Sequence, residues 1–266
     1  MAEAQQNPTS SFLIKIDKIR KKSYANSIFL KPDDVIVALN NQLYTFGEKR
    51  FVEELKDLKK SNETSLLTIL RNEIFIDIII ENSLGCGFIT TDSNETEKIK
   101  EKFSKKNNYD IEELKDYIAM RDVYRRYDVY ENNNSLSAGL FPPLWLAYAR
   151  KWWVLLAFSI LFFMLFSVNF FLFLLGWTLT SVYCYKAQLN LLFSFSMLEG
   201  KAFSMKFAAK SMDEAHNLIR NIDPKSRFMF SKLAQPEPQK EEVSSENTKK
   251  NEENSNIIDE KSEALV

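Results

Sequence analysis

Over residues 12 to 92, short apolar runs are separated by polar turns, and the spacing of the apolar positions changes along the way. Ser11 to Ile19 alternates apolar and polar residues, as a half-buried strand does. Ser23 to Phe29 fits a short turn or helix, and Lys31-Pro32-Asp33-Asp34 fits a turn into an apolar strand, Val35 to Leu39. Asn40-Asn41 is a tight turn before a short strand at Leu43-Tyr44. From Gly47 to Lys60 the apolar residues Phe51, Val52, Leu55 and Leu58 recur at helical spacing. Ser65 to Leu70 and Ile74 to Ile80 are strands joined by a hairpin turn at Arg71-Asn72-Glu73. Thr96 to Lys105 fits a helix after cap signals at Asp92 and Ser93. Asp110 to Arg121 fits a second helix, with Ile111, Leu114, Tyr117 and Ile118 on one face.

The pattern then changes character. From Trp152 to Tyr185 there is no charged residue, in a chain that is 27% charged. One helix of that length would span about 50 Å, against a hydrocarbon core of about 30 Å. A hairpin of two helices fits better, with a break near Ser167-Val168-Asn169. The first arm can borrow Leu144 to Ala149 with Arg150 and Lys151 snorkelling, and the second can continue towards Leu198. Trp152, Trp153, Trp177, Tyr183 and Tyr185 suit interfacial belts. Cations on both outer flanks (Arg150 and Lys151 before; Lys186, Lys201, Lys206 and Lys210 after) favour both termini in the cytoplasm. The rivals are a single span, which puts the tail on the other side, and a buried soluble core, which needs a large partner to cover it.

Charge and cysteine content narrow the function classes. A net charge of -1 gives no global argument for nucleic acid. Arg121, Arg125 and Arg126, interleaved with Tyr124, Tyr127 and Tyr130, suit anionic head groups or a solvated helix face better than nucleic acid. Cys86 and Cys184 are far apart, so a reducing compartment is expected and a disulfide framework is not. The stretch MAEAQQNPTSS has neither the basic nor the apolar region of a signal peptide. With one histidine, His216, an HExxH zinc site cannot be built, and no GxSxG, P-loop, GxGxxG or paired-cysteine site occurs. No enzymatic activity, cofactor or metal is expected.

The run Ile28-Phe29-Leu30-Lys31-Pro32-Asp33-Asp34-Val35-Ile36-Val37-Ala38-Leu39-Asn40-Asn41 resembles the stretch G-L-K-P-G-D-V-I-V-x-I-N-G of bacterial PDZ domains. Asp34 keeps its place at the start of the strand, while Phe29, Asp33 and Asn41 stand where glycines are usual. The helix and strand pair that follow keep the family's order. The resemblance implies that an extended peptide adds to an open sheet edge beside a helix. Bacterial members are often circularly permuted. Leu84-Gly85-Cys86-Gly87-Phe88 is similar to the family's carboxylate loop G-L-G-F, with Phe88 to Thr91 as the edge strand. Phe88, Val52 and Leu55 would then line the pocket for the last side chain. The same glycines also read as a plain turn out of the sheet, and the helical stripe as plain core.

Leu140-Phe141-Pro142-Pro143-Leu144-Trp145-Leu146-Ala147-Tyr148-Ala149-Arg150-Lys151-Trp152-Trp153 resembles the pattern F-x-x-P-x-W-x-x-Y-R-x-x-W that leads into the hydrophobic segment of a family of small bacterial inner-membrane proteins, a domain of unknown function. Gly200 to Ile219 is similar to that family's amphipathic coda. This likeness implies topology rather than chemistry, with Trp145 and Tyr148 in the head-group zone.

The expected fold is α+β. It comprises a small, partly open PDZ-like β-barrel with flanking helices over 11–92 and a charged helical linker over 93–135. A membrane domain over 136–220 carries a transmembrane hairpin at about 152–185, and a disordered tail covers 234–266. The expected function is a membrane-anchored adaptor at the inner (plasma) membrane that binds a protein or peptide C-terminus. The alternative is a structural subunit of a membrane complex without peptide binding. The sequence ends in Glu263-Ala264-Leu265-Val266, the kind of terminus a PDZ groove accepts, so self-association through Val266 is also expected.

Overall fold

The alternating stretch forms β1 (Ile14–Ile19), with Ile14 and Ile16 buried and Lys18 in water. The computed structural model describes residues 12–61, 63–229, 231–234 and 236. After α1 (Tyr24–Ser27) comes β2 (Val35–Leu39), which is apolar throughout because both its faces are covered. Ile36 joins one core, while Val35 and Val37 join another on the opposite face. There follow β3 (Gln42–Leu43), α2 (Glu48–Ser61), β4 (Ser65–Arg71), β5 (Ile74–Ile80), β6 (Cys86–Thr90) and α3 (Ser93–Ser104). The larger core takes Ala25 of α1 and Phe51 and Leu55 of α2. The smaller one takes Ile99 and Phe103 of α3.

The turn into β2 is held by a buried ion pair. Arg71 Nε and Nη2 donate to the two carboxylate oxygens of Asp34 at 2.7 and 2.6 Å, and Asp34 Oδ2 also accepts from the Lys31 backbone N–H at 2.7 Å. Phe29, Asp33 and Asn41, the three residues standing where the resembled pattern has glycine, have φ of 61°, 72° and 62°. Left-handed backbone is tolerated by Asn and Asp and strained at Phe. The strain at Phe29 is offset by contacts. Its carbonyl accepts from Arg71 Nη2 at 3.0 Å, and its ring stacks on Phe203 with centroids 5.7 Å apart.

Residues 93–135 differ from the expected helical linker. Only α3 and a 3-10 turn at Ile111–Glu113 are helical. Then come β7 (Lys115–Arg121) and β8 (Arg126–Glu131), a hairpin whose turn is closed by Asp122 Oδ1 accepting from Arg126 N at 2.8 Å. The spacing of Ile111, Leu114, Tyr117 and Ile118 fits a helix face. What decides is a partner strand from beyond residue 200: Tyr117 and Ala119 lie opposite Phe207 and Met205 of β9 (Ala202–Ala209). The expected amphipathic coda is thus β9 followed by α8 (Met212–Ile222), with Ala215 and Ile219 in the larger core.

β10 (Arg227–Phe228) completes one sheet in the order β10-β8-β7-β9-β5-β4-β2-β1-β6, with β3 paired to β2. Neighbours are antiparallel except β8 and β10. The sheet is open, in place of the expected small, partly open barrel. β9 occupies the edge of β5, where a small barrel would have had to close, and carries the sheet on into β7. The described residues up to Ala234 form one compact unit. The expected disordered tail and the Val266 terminus lie, apart from Ala234 and Pro236, outside the described residues.

Between β8 and β9 the chain forms α4 (Ser137–Leu140), α5 (Pro142–Tyr148), α6 (Trp152–Val168) and α7 (Phe170–Leu198). The apolar run breaks at Asn169, whose side chain accepts from Phe171 N at 2.7 Å and caps α7. Helices α6 and α7 meet through Phe158, Phe162 and Phe166 against Phe173 and Trp177. Gly176 permits the approach, because a Cβ there would lie 3.1 Å from Leu165 Cδ1. Leu144 to Ala149 does not extend the first arm. It belongs to α5 and the turn after it, which ends at Arg150 with φ 59°. Helix α6 therefore has 17 residues, about 25 Å. Helix α7, with 29, is the one helix among the described residues long and apolar enough to cross a bilayer, and 6% of its apolar window is buried.

Candidate functional site

The sequence points to the edge of the sheet at β6. This strand pairs with β1 from Ile14↔Thr90 to Ile19↔Cys86, and its other edge meets no strand among the described residues. Its far end is pinned, with Thr91 N and Oγ1 both donating to Leu13 O, at 3.0 and 3.1 Å. Along the strand Cys86 and Phe88 turn toward the larger core, while Gly87 and Ile89 alternate to the solvent side. Helix α2 lies against β6, with the Phe51 ring edge-on to Phe88 at 5.5 Å.

The seven expected site residues divide by burial. Leu84 and Leu55 are core residues, and the Leu84 carbonyl already accepts from Ala25 N at 2.9 Å. Cys86, Phe88 and Val52 are half-buried, while Gly85 and Gly87 are exposed. The structure thus brings Phe88 to α2, with Leu55 and Leu84 beneath as floor. Gly85 is left-handed, with φ 69°, and a Cβ there would lie 3.1 Å from Ser23 Cβ. That close approach sets the loop beside the turn Arg20-Lys21-Lys22, whose three cations are exposed. Ser23 Oγ fixes the turn by donating to Arg20 O at 2.7 Å. Burial, with Glu48 acting in the same direction, pushes the Cys86 thiol up to about 12, so the thiol is a packing group rather than a nucleophile. Two cavities, of about 350 and 240 Å³, lie elsewhere, on the outer face of α3 and between Phe75, Tyr109 and Leu218.

A second cluster was not foreseen. Lys151, expected to snorkel, has a side chain only 3% exposed. Its Nζ donates to Glu199 Oε2 at 2.7 Å, Ser196 Oγ at 3.0 Å and Asp128 Oδ2 at 3.3 Å. Lys201 Nζ closes the square, 2.6 Å from Asp128 and 3.3 Å from Glu199, and Tyr130 OH donates to Asp128 at 3.1 Å. Burial pushes the Asp128 carboxyl up, but the Lys201 bond and the charges of Lys201 and Lys151 outweigh it and hold it below its ordinary value. The network joins β8, the start of α6, the end of α7 and the start of β9. Two more of the flanking cations are paired: Lys206 with Asp116 at 3.0 Å and Lys210 with Glu113 at 2.9 Å.

No family model matches this chain, and no curated protein matches it. The site rests on geometry alone. Sequence reasoning missed the Lys151 network because its carboxylates are 23 and 48 residues away, and a lysine before an apolar run reads as a flank. The signal available was composition, in that Glu199 is the first carboxylate after the apolar run and stands two residues before Lys201. Among the described residues no group of three or more His, Cys, Asp or Glu is arranged to hold a metal.

Proposed function

We propose that the protein is a membrane-anchored adaptor whose PDZ-like portion binds a partner's extended terminus along β6. The observation that carries the reading is the β6 edge beside α2, which no strand among the described residues pairs with, in a sheet tied to two bare apolar helices. An open edge offers main-chain donors and acceptors to a peptide strand, and half-buried Phe88 and Val52 offer an apolar seat for a terminal side chain. The exposed cations of Arg20, Lys21 and Lys22 beside Gly85 suit a carboxylate. The left-handed conformations at Phe29, Asp33 and Asn41 are ones that glycine adopts without strain, which supports the resemblance to a pattern with glycine at those places.

The membrane reading is supported by exposure and by topology. A core helix of a water-soluble protein would be covered, whereas 6% of the apolar window of α7 is buried. Strand β9, which follows the apolar run, sits between β5 and β7, which precede it. Both flanks therefore share one side of any bilayer, which favours a two-armed insertion over a single span. In this reading α6 and the first half of α7 are the arms, at the inner membrane with the sheet in the cytoplasm.

The test uses the full chain in lipid nanodiscs, panned against a library of peptides with free C-termini. The adaptor reading expects enrichment of apolar last residues, lost in Val52→Glu, which charges the groove lip while sparing the core. The second reading is a structural membrane subunit. It is favoured by the filled floor, where Leu55, Leu84 and Phe51 are wholly buried. No enrichment with a folded chain would select it, while enrichment unchanged in Val52→Glu would mean that the peptide binds elsewhere and would overturn the β6 site.

A further inference from the structure

The segment before the first apolar arm has its own surface logic. From Ser135 to Ala149 no residue is charged. Helices α4 and α5 pack one side against α6 and α7 through Ala138, Trp145 and Leu146. The seat is tight, since a Cβ on Gly139 would come within 3.0 Å of Tyr185 Cβ. Trp145, expected among head groups, is therefore buried. The other side presents Leu136, Leu140, Phe141, Leu144 and Tyr148, which range from 56% to 89% exposed. Leu144 and Tyr148, four apart, share one face of α5, and with Leu136 and Leu140 at the two ends of α4 and Phe141 at the break between the helices they make an exposed apolar row along this stretch of chain. The water-facing sides of α2 and α3 are quite different: Glu53, Lys56, Asp57 and Lys59 on α2, and Glu97, Lys98 and Glu101 along α3.

We propose that α4 and α5 form a foot lying in the plane of the bilayer, with the Leu136–Tyr148 row in the interfacial zone of the lipid. The proposal rests on the membrane reading of α6 and α7. The occupant follows from continuity, because the row runs through the Arg150 turn into the exposed apolar surface of α6, beginning at Trp152. It flanks α7 at Tyr185, the residue before exposed Lys186, where apolar helix gives way to a cation suited to phosphate. Pro142 and Pro143 open α5 without N–H groups. A helix start in a water-poor layer then leaves fewer unpaired donors. An apolar helix face in such a layer sits about 5–10 Å into the head-group and acyl boundary. The foot sets the height of the sheet above the membrane, because its opposite face is packed on both arms.

The experiment places a single spin label on the full chain, with Cys86→Ala and Cys184→Ala, in vesicles of phosphatidylcholine and phosphatidylglycerol. Labels go at Leu140 and Leu144, with Phe163 of α6 as the lipid reference and Lys56 of α2 as the water reference. The foot expects oxygen to be favoured over a nickel chelate severalfold more at Leu140 and Leu144 than at Lys56, at a depth shallower than Phe163. Values like Lys56 at both positions, with Phe163 in lipid, would overturn the foot and leave the span standing. Water accessibility at Phe163 itself would remove the span and the foot together. Labels reached by neither reagent would mean that protein covers the row, which also overturns the proposal.

Discussion

Phe29 joins two requirements that usually conflict. Its backbone is left-handed, which costs a residue with a Cβ about 1–2 kcal/mol, yet its ring stacks on Phe203, which in turn meets Phe193 of α7 edge-on at 5.0 Å. A glycine would relax the backbone and lose the link between the first turn of the sheet and the apolar helices. Phe29→Gly is therefore expected to destabilise the full chain less than Phe29→Ala by roughly 0.5–1 kcal/mol, read from denaturant melts in detergent. An equal loss would mean that the backbone carries no strain. His216 makes a second prediction at this scale. It is buried against Phe228, with ring centroids 4.4 Å apart, and its Nδ1 has no partner. Burial lowers its pKa, opposed by the charge of Asp213. A lowered value in the fold means that the unfolded chain takes up the proton first. Stability is then full above the ordinary value of 6.5 and declines as pH falls below it. Thermal melts between pH 8 and 5 are expected to show this decline, and His216→Gln to flatten it.

At the scale of elements, the sequence was most readable where local pattern and tertiary partner agree. β1, β2, β4, β5, α2 and α3 form close to where alternation and helical spacing put them, because their apolar residues pack within the same stretch of chain. The break in the apolar run also falls within the expected Ser167–Asn169, where Asn169 can cap a new helix. β7 was illegible because its partner is β9, on the far side of the apolar helices, and Ile111, Leu114, Tyr117 and Ile118 fit either period. Of the candidate site, the turn at Gly85 and the strand position of Phe88 were legible. That Leu84 is core was not, because its burial depends on how α1 closes over it. The Lys151 network belongs here too, since it joins four elements through one buried ammonium. Lys151→Met is expected to cost about 3 kcal/mol, the low end for breaking a buried pair because Lys201 stays with both carboxylates. The measurement is chemical denaturation in detergent. A cost below about 1 kcal/mol would mean that Lys151 reaches water instead.

For the whole molecule, one sheet draws strands from both sides of the apolar run. β5 and β7 precede it, β9 follows it, and the register from Lys115↔Ala209 to Arg121↔Ala202 leaves no slack for a membrane between them. In the membrane reading this makes the sheet a clasp. The arms can enter only as a pair, and the flanking cations matter less for orientation than their number suggests, because Lys151, Lys201, Lys206 and Lys210 are each bound to a carboxylate. The prediction is that single cysteines at exposed positions on either flank, Lys56 on α2 and Asn217 on α8, react together with an impermeant maleimide in sealed vesicles of one orientation and are protected together in the other. Opposite labelling would require β9 to leave the sheet. Tyr117 and Phe207, both buried and stacked with ring centroids 6.0 Å apart, would then be exposed to water. Losing two such aromatic residues from the core costs several kcal/mol, a large share of what holds a domain of this size together, so the sheet and a split topology cannot coexist.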